Sequence, residues 1–229
     1  MFDYSDIYDP DAGYDAVLSD ETAKTILNFV DNNETILDIG CGTARISKVF
    51  QSNNQIYLND ISKKYLDIAL KKIPSAEIFL GNFLDVDFKM NFDNIFIFNN
   101  IQEQNNLLFF IEKAIHLLNN DGKLFISYPN PKSLHRIVGL LENKINSLDE
   151  VSSKSKDLGT VSMIDEKKLN EIFSYESLEL IYQKGICFKP FKNSTMEKLD
   201  KSIVKSLNDS IDLIEDYSAL KLKIYKNIK

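Results

Sequence analysis

Asp38, Gly40 and Gly42 have the residue types and spacing for ligand chemistry. They stand in the run Ile36-Leu37-Asp38-Ile39-Gly40-Cys41-Gly42-Thr43-Ala44, an apolar stretch ending in a carboxylate and two glycines one residue apart. Glycine lets the backbone turn tightly and approach a ligand with no Cβ between them. A short helix is expected from about Thr43, and amides at a helix start face polar ligands. Asp60 follows about 20 residues on, the separation at which an acid accepts hydrogen bonds from ribose hydroxyls. The alternative is a plain acid at a helix start. A nicotinamide-binding loop, G-x-G-x-x-G, would need glycine where Arg45 stands, which disfavours a dehydrogenase.

A second group could act on a substrate. His135 and Arg136 follow Tyr128-Pro129-Asn130-Pro131. Histidine can take a proton near neutral pH. The competing reading is a His-Arg pair on a helix surface. His116 sits among apolar neighbours and reads as structural. Cys41 reads as small filler within the glycine loop. The phenylalanines between Phe83 and Phe98 read mostly as core.

The elements that must position these residues alternate. Short apolar runs at 35–40, 55–59, 77–80, 94–98 and 123–128 read as strands. Helical spacing falls at 19–30, with Ser19 as cap, and at 62–72, 107–118 and 132–146. Strands alternating with helices predict a parallel sheet with right-handed crossovers. Ligands of such sheets sit at the carboxyl ends of the strands, near the switch in strand order. Later, 150–160 reads as loop and 165–173 as a short helix. Runs at 178–188 and 219–225 read as strands, an antiparallel edge on the parallel sheet. Between them 195–214 reads as one amphipathic helix, with Met196, Leu199, Ile203, Leu207, Ile211 and Ile214 on its stripe.

From about Glu34 to Pro129 the chain resembles class I S-adenosylmethionine-dependent methyltransferases. Asp-x-Gly-x-Gly at 38–42 is similar to their first motif, Asn59-Asp60-Ile61-Ser62 to their second and Gly81-Asn82-Phe83 to their third. The resemblance implies an α/β fold: a doubly wound, seven-stranded, mostly parallel sheet of Rossmann-like type with a helical substrate cap. It implies one domain over 1–229, a cofactor-binding core at about 19–130, and a cap and antiparallel edge at about 131–229. Its cofactor would be S-adenosyl-L-methionine, leaving as S-adenosyl-L-homocysteine (SAH). Asp38 would meet the cofactor's amino group, and Gly40, Cys41 and Gly42 would pass its methionine part. Asp60 would take the ribose hydroxyls and Ile61 would pack on adenine. Asn82, with Phe83 beside it, would contact the adenine amine. Phe98 and Asn99 would floor the site. Tyr14 would close over it, or else be a surface tyrosine. Three positions depart from the pattern: Ala44 replaces a third glycine, Asn82 replaces Asp, and Asn99-Asn100 replaces Glu-His.

The segments 129–139, 158–159 and 189–193 are similar to a small-molecule subgroup of that family, associated with bacterial surface sugars and secondary metabolites. That similarity implies His135 as base on a substrate hydroxyl, with Arg136 or Lys189 holding an anionic group such as a phosphate. The expected reaction is methyl transfer to an oxygen of a small, phosphorylated or nucleotide-linked sugar. The alternatives are N-methylation of a small molecule, methylation of protein or RNA, and a non-catalytic binder of the cofactor.

Composition narrows these choices. The net charge of -7 works against a nucleic-acid partner, which requires a basic face. Two cysteines make no disulfide framework and no metal-ligand spacing, so no metal is expected. No apolar run approaches the roughly 20 residues that span a bilayer, and the acidic start is unlike a signal peptide. A cytoplasmic enzyme acting on a small molecule, without membrane or nucleic-acid partners, is the expectation. Its oligomeric state is open.

Overall fold

The computed structural model describes residues 3–174 and 177–228. Seven strands form one sheet in the order β3-β2-β1-β4-β5-β7-β6. They are β1 (Thr35–Ile39), β2 (Gln55–Asp60), β3 (Glu77–Leu80), β4 (Phe92–Phe98), β5 (Leu118–Pro129), β6 (Leu178–Ile186) and β7 (Leu220–Asn227). β1 pairs in parallel with β2 and β4, β2 with β3, and β4 with β5. β7 lies antiparallel between β5 and β6. The strand order reverses between β1 and β4, so a crevice opens there above the carboxyl ends.

Strands buried on both faces read as continuous apolar runs. In β1, Ile36 joins one core layer while Leu37 and Ile39 join the other. Helices cover both layers. On the first face lie Leu18 and Ile26 of α1 (Gly13–Ile26) and Leu66 and Ala69 of α2 (Lys63–Lys72). On the second lie Phe110, Ile111 and Ala114 of α3 (Leu107–His116).

Four local expectations are corrected. The first helix starts at Gly13, not Ser19. Ser19 lies inside α1 and donates its hydroxyl to the Asp15 carbonyl. The cap is remote: the N–H of Tyr14 donates to Glu197 Oε1 at 3.3 Å. Second, no helix begins at Thr43. A loop runs instead into a 3-10 turn, Ser47–Phe50. Third, the stretch 195–214 is broken into α7 (Asn193–Met196), α8 (Lys201–Asp209) and one 3-10 turn, Ile211–Leu213. Asp200 accepts the N–H of Ser202 and so starts α8 afresh. Fourth, the 150–160 loop contains a short helix, α5 (Ser153–Asp157).

Beyond β5 come α4 (Leu134–Leu141), α5 and α6 (Glu166–Ser174). α6 packs on the sheet: the Phe173 ring stacks on Tyr225 of β7, with centroids 4.1 Å apart. The segment that reaches the crevice rim is 158–162. There Val161 and Ser162 donate their N–H groups to the Gln102 carbonyl. No helix among the described residues is long and apolar enough to cross a membrane.

Candidate active site

A cleft open to solvent, with a volume of about 170 Å³, occupies the crevice. The glycine loop forms one wall. Gly40 and Gly42 both have positive φ, 65° and 53°, where a Cβ would be strained. Ala44 also sits there, at φ 55°. This is a cost of roughly 1–2 kcal/mol that the family's third glycine would avoid.

The last two residues of β2 tie the walls together. The Asn59 carbonyl accepts the N–H groups of Gly40 at 2.8 Å and Cys41 at 3.0 Å. Its side-chain amide donates to the carbonyls of Phe79 and Gly81. Asp60 Oδ2 accepts from the Gly42 N–H at 2.8 Å, and Oδ1 accepts from the Ser62 N–H at 2.8 Å. The Asp60 carbonyl accepts the N–H of Gly81. Two adjacent residues therefore hold both ligand-facing loops by backbone and side chain. Asn59 opens the second motif, but its part in tying the loops is visible only once β1, β2 and β3 are side by side.

Two buried carboxylates face each other's field. Burial pushes the Asp38 carboxyl up to about 7, opposed by the Ser47 hydroxyl that donates to it and assisted by the charge of Asp60. Asp60 is raised as well, first by burial, with backbone donors pulling it back. A cationic ligand group would relieve both. The Cys41 thiol is pushed well up by burial and is therefore a poor nucleophile.

Of the residues singled out in the sequence, Asp38, Gly40, Cys41, Gly42, Asp60, Ile61, Phe83, Phe98 and Asn99 line the cleft. Asn82 does not. Its side-chain oxygen accepts the Leu84 N–H at 3.1 Å and shapes the turn after Gly81. Tyr14 also points elsewhere. It is 2% exposed, its hydroxyl donates to Asn208, and the Lys189 ammonium lies 5.9 Å from its ring centre.

His135, Arg136 and Lys189 form a separate group with Tyr14. The His135 N–H donates to the Lys189 carbonyl. Burial, with Lys189 and Arg136 adding to it, pushes the His135 imidazole down to about 3. An imidazole that weakly basic is poorly matched to taking a proton near neutral pH. Arg136 donates through Nη2 to the carbonyls of Leu148 and Glu150, clamping that loop. The Lys189 ammonium donates to Asn193 Oδ1.

The sequence reading missed the N-terminal segment. Asp3, Tyr4, Tyr8 and Pro10 line the cleft. The segment is fastened to α2: Tyr65 donates its hydroxyl to the Tyr8 carbonyl at 2.7 Å, and Lys64 donates to the Ser5 carbonyl. Lys72 pairs with Asp11. Lining tyrosines at an irregular chain start carry no periodic signal. Glu103, at the end of the 3-10 turn after β4, and Gln104 just beyond it also line the cleft unforeseen. No cluster of three or more potential metal ligands occurs among the described residues.

The residues present fit a nucleoside sulfonium. There is a wall without side chains, a carboxylate at each of the first two strand ends, and a pair of asparagine oxygens, Asn99 and Asn100 Oδ1, that lack a donor. Comparison with known proteins agrees. A family model described as "Methyltransferase domain" matches residues 30–177. No curated protein matches the sequence. The fold is similar to N-methyltransferase NodS from Bradyrhizobium japonicum WM9, solved with SAH. The TM-score is 0.64 at 9% identity, covering 98% of this chain and 93% of that one. It is also similar to an S-adenosylmethionine-dependent methyltransferase from Clostridium acetobutylicum ATCC 824, with a TM-score of 0.61 at 13% identity and 97% of each chain covered. With motif, cleft and family model in agreement over the same strands, the chain belongs to the methyltransferase domain family.

Proposed function

We propose that this enzyme transfers the methyl group of S-adenosyl-L-methionine to a nucleophile on a small molecule, and that the cleft above β1, β2 and β4 is where it does so. The observation that carries this reading is the double tie made by Asn59 and Asp60, which holds both cofactor-facing loops at the strand switch. When bound, the cofactor supplies an electrophilic methyl on a sulfonium. The chain's task is then alignment and exclusion of water, and alignment alone can be worth effective molarities on the order of 10⁵–10⁸ M.

In this reading Gly40, Cys41 and Gly42 lie against the methionine part through bare backbone. Asp38 pairs with its ammonium, and Asp60 accepts from the ribose hydroxyls. Ile61, Phe83 and Phe98 flank the adenosyl group, and Asn99 lies near the transferred methyl. Tyr4 and Tyr8 close the cleft from the chain's start, the part that Tyr14 was expected to play.

A phosphorylated oxygen acceptor was expected on the strength of His135, Arg136 and Lys189. Those side chains lie outside the cleft, with the arginine and lysine engaged by protein acceptors. They lend that acceptor no support. A small acceptor fits a cleft narrowed by the N-terminal segment.

The test is transfer of a tritiated methyl from the cofactor into a cell extract, with the products then fractionated by size. Label in the small-molecule fraction is expected. Label confined to protein or RNA would refute the small-acceptor reading.

A further inference from the structure

Resting on the methyl-transfer reading above, we infer that the acceptor is an amine, bound with its nitrogen against the carboxylate of Glu103. Glu103 ends the 3-10 turn Ile101–Glu103, directly after the strand whose terminus floors the cleft. The Tyr4 hydroxyl donates to Oε1 at 3.2 Å. Gly159, at φ 81°, lies beside both residues, where a Cβ would come 3.8 Å from Oε2 and 3.8 Å from Tyr4 Cε1. Among the described residues no donor reaches Oε2 and no cation pairs with Glu103. A carboxylate held in a half-closed cleft with one oxygen unclaimed suits a ligand that brings its own N–H groups and positive charge.

The rest of the cleft points the same way. Its other lining carboxylates are Asp3, Asp38 and Asp60, against one guanidinium, Arg45. Arg45 already donates to Asp20 at 2.8 Å and pairs with Asp11. A phosphate would meet acids and an arginine that is already engaged, whereas an ammonium favours the ionised form of those acids and pairs with it.

The two asparagines beside Glu103 are turned inward and leave it as the polar group that meets the acceptor. Asn100 is 7% exposed, lines the cleft and donates through Nδ2 to the Ile39 carbonyl, which fixes Oδ1 as its acceptor end. That buried Oδ1 has no partner, nor does Asn99 Oδ1. Buried acceptors without donors are costly, roughly 1–3 kcal/mol each.

The proton balance follows. The acceptor enters as an ammonium, whose charge favours the ionised form of Glu103, and it passes one proton to that carboxylate, leaving a neutral amine with a free electron pair. That pair forms the N–C bond as the S–C bond breaks, and the sulfur keeps the electrons of the broken bond. The products are a methylammonium and SAH, and protonated Glu103 returns its proton to water. Burial pushes Glu103 up to about 8, with the Tyr4 hydroxyl opposing and Asp60 assisting. This brings it nearer to the ammonium it must deprotonate. The groups facing it are Tyr4 from the N-terminal segment, Asp60 from β2 and the uncharged backbone at Gly159.

The experiment uses the full chain saturated with SAH and matched probes: benzylamine, benzyl alcohol and glucose 1-phosphate, by calorimetry. Benzylamine should bind at least about tenfold more tightly than the alcohol, and the phosphate not at all. Glu103→Gln should abolish that preference, with SAH affinity unchanged within about twofold, and Glu103→Asp should restore part of it. The inference is overturned if the alcohol or phosphate binds as well as the amine, if no amine binds, or if Glu103→Gln keeps the preference. Failure of SAH itself to bind would remove the methyl-transfer reading and this one with it. SAH binding without amine preference would remove only this one.

Discussion

Asp60 Oδ2 receives the backbone N–H of Gly42 at 2.8 Å, so the acid that ends the second strand also holds the glycine loop that follows the first. One side chain thus serves as both ligand group and loop anchor. Asp60→Ala removes both functions. Loss of hydrogen bonds to a charged group costs about 1.5–3 kcal/mol, and SAH affinity should fall by at least about tenfold. Asp60→Asn, which keeps one acceptor oxygen, should fall between. Calorimetric titration of each variant checks this; unchanged affinity in Asp60→Ala would separate Asp60 from the cofactor.

Gly40→Ala is expected to be worse than a methyl's worth of crowding. Its φ is 65°, and a Cβ there would run into Asn100 Nδ2, which is committed to the Ile39 carbonyl. Left-handed strain of about 1–2 kcal/mol adds to the displacement of a buried amide. Thermal melting should drop, and SAH binding should weaken further than the stability loss explains. A variant that melts and binds like wild type would show that the loop has room.

Arg136 should behave as a structural residue. Its Nη2 bridges the Leu148 and Glu150 carbonyls, and the residue is buried. Arg136→Ala leaves two acceptors without donors, a loss of about 1–3 kcal/mol for each one that stays buried. Denaturant midpoints should fall while the KM for the acceptor stays put. A raised KM with unchanged stability would return Arg136 to the acceptor's side.

Between pH 7 and pH 8 the free enzyme should lose stability. The folded carboxyls of Asp38 and Glu103 are raised, to about 7 and about 8, from ordinary values of 3.8 and 4.5. The native state therefore holds protons that the unfolded chain has released, and stability falls as pH rises through those values. His135 acts in the opposite sense. Its folded value near 3 lies below the ordinary 6.5, so its contribution is already complete by pH 7. Carboxylates held low, such as Asp11 and Asp93, contribute only at acid pH. Melting temperature should drop by about 2 °C across that window, on the size scaling for a chain this long. Glu103→Gln should flatten the upper half, and a rising profile would contradict the burial of both acids.

The strands and the glycine motif were legible because their signals are local: apolar runs bounded by glycine, and carboxylates at strand ends. The features that went unread are made by contacts across the chain. The first helix begins at Gly13 because Glu197 caps it, and no window around Ser19 contains that information. Asn59 stitches two loops only when three strands are paired. Similarity of a segment such as Leu134-His135-Arg136 carries order along the chain but not side-chain direction, and here the direction leads away from the cleft. Glu103 and Tyr4 meet across 99 residues, from segments with no periodicity to read.

The central claim is that bare backbone at Gly40 and Gly42, with Asp60 behind it, grips an adenosyl sulfonium. The most direct measurement is calorimetric titration of the folded chain with SAH at pH 7.5, wild type against Asp60→Ala. A one-to-one binding isotherm that weakens at least about tenfold in the variant is the predicted result. No heat from wild type that melts cooperatively, or equal binding by both proteins, would contradict it.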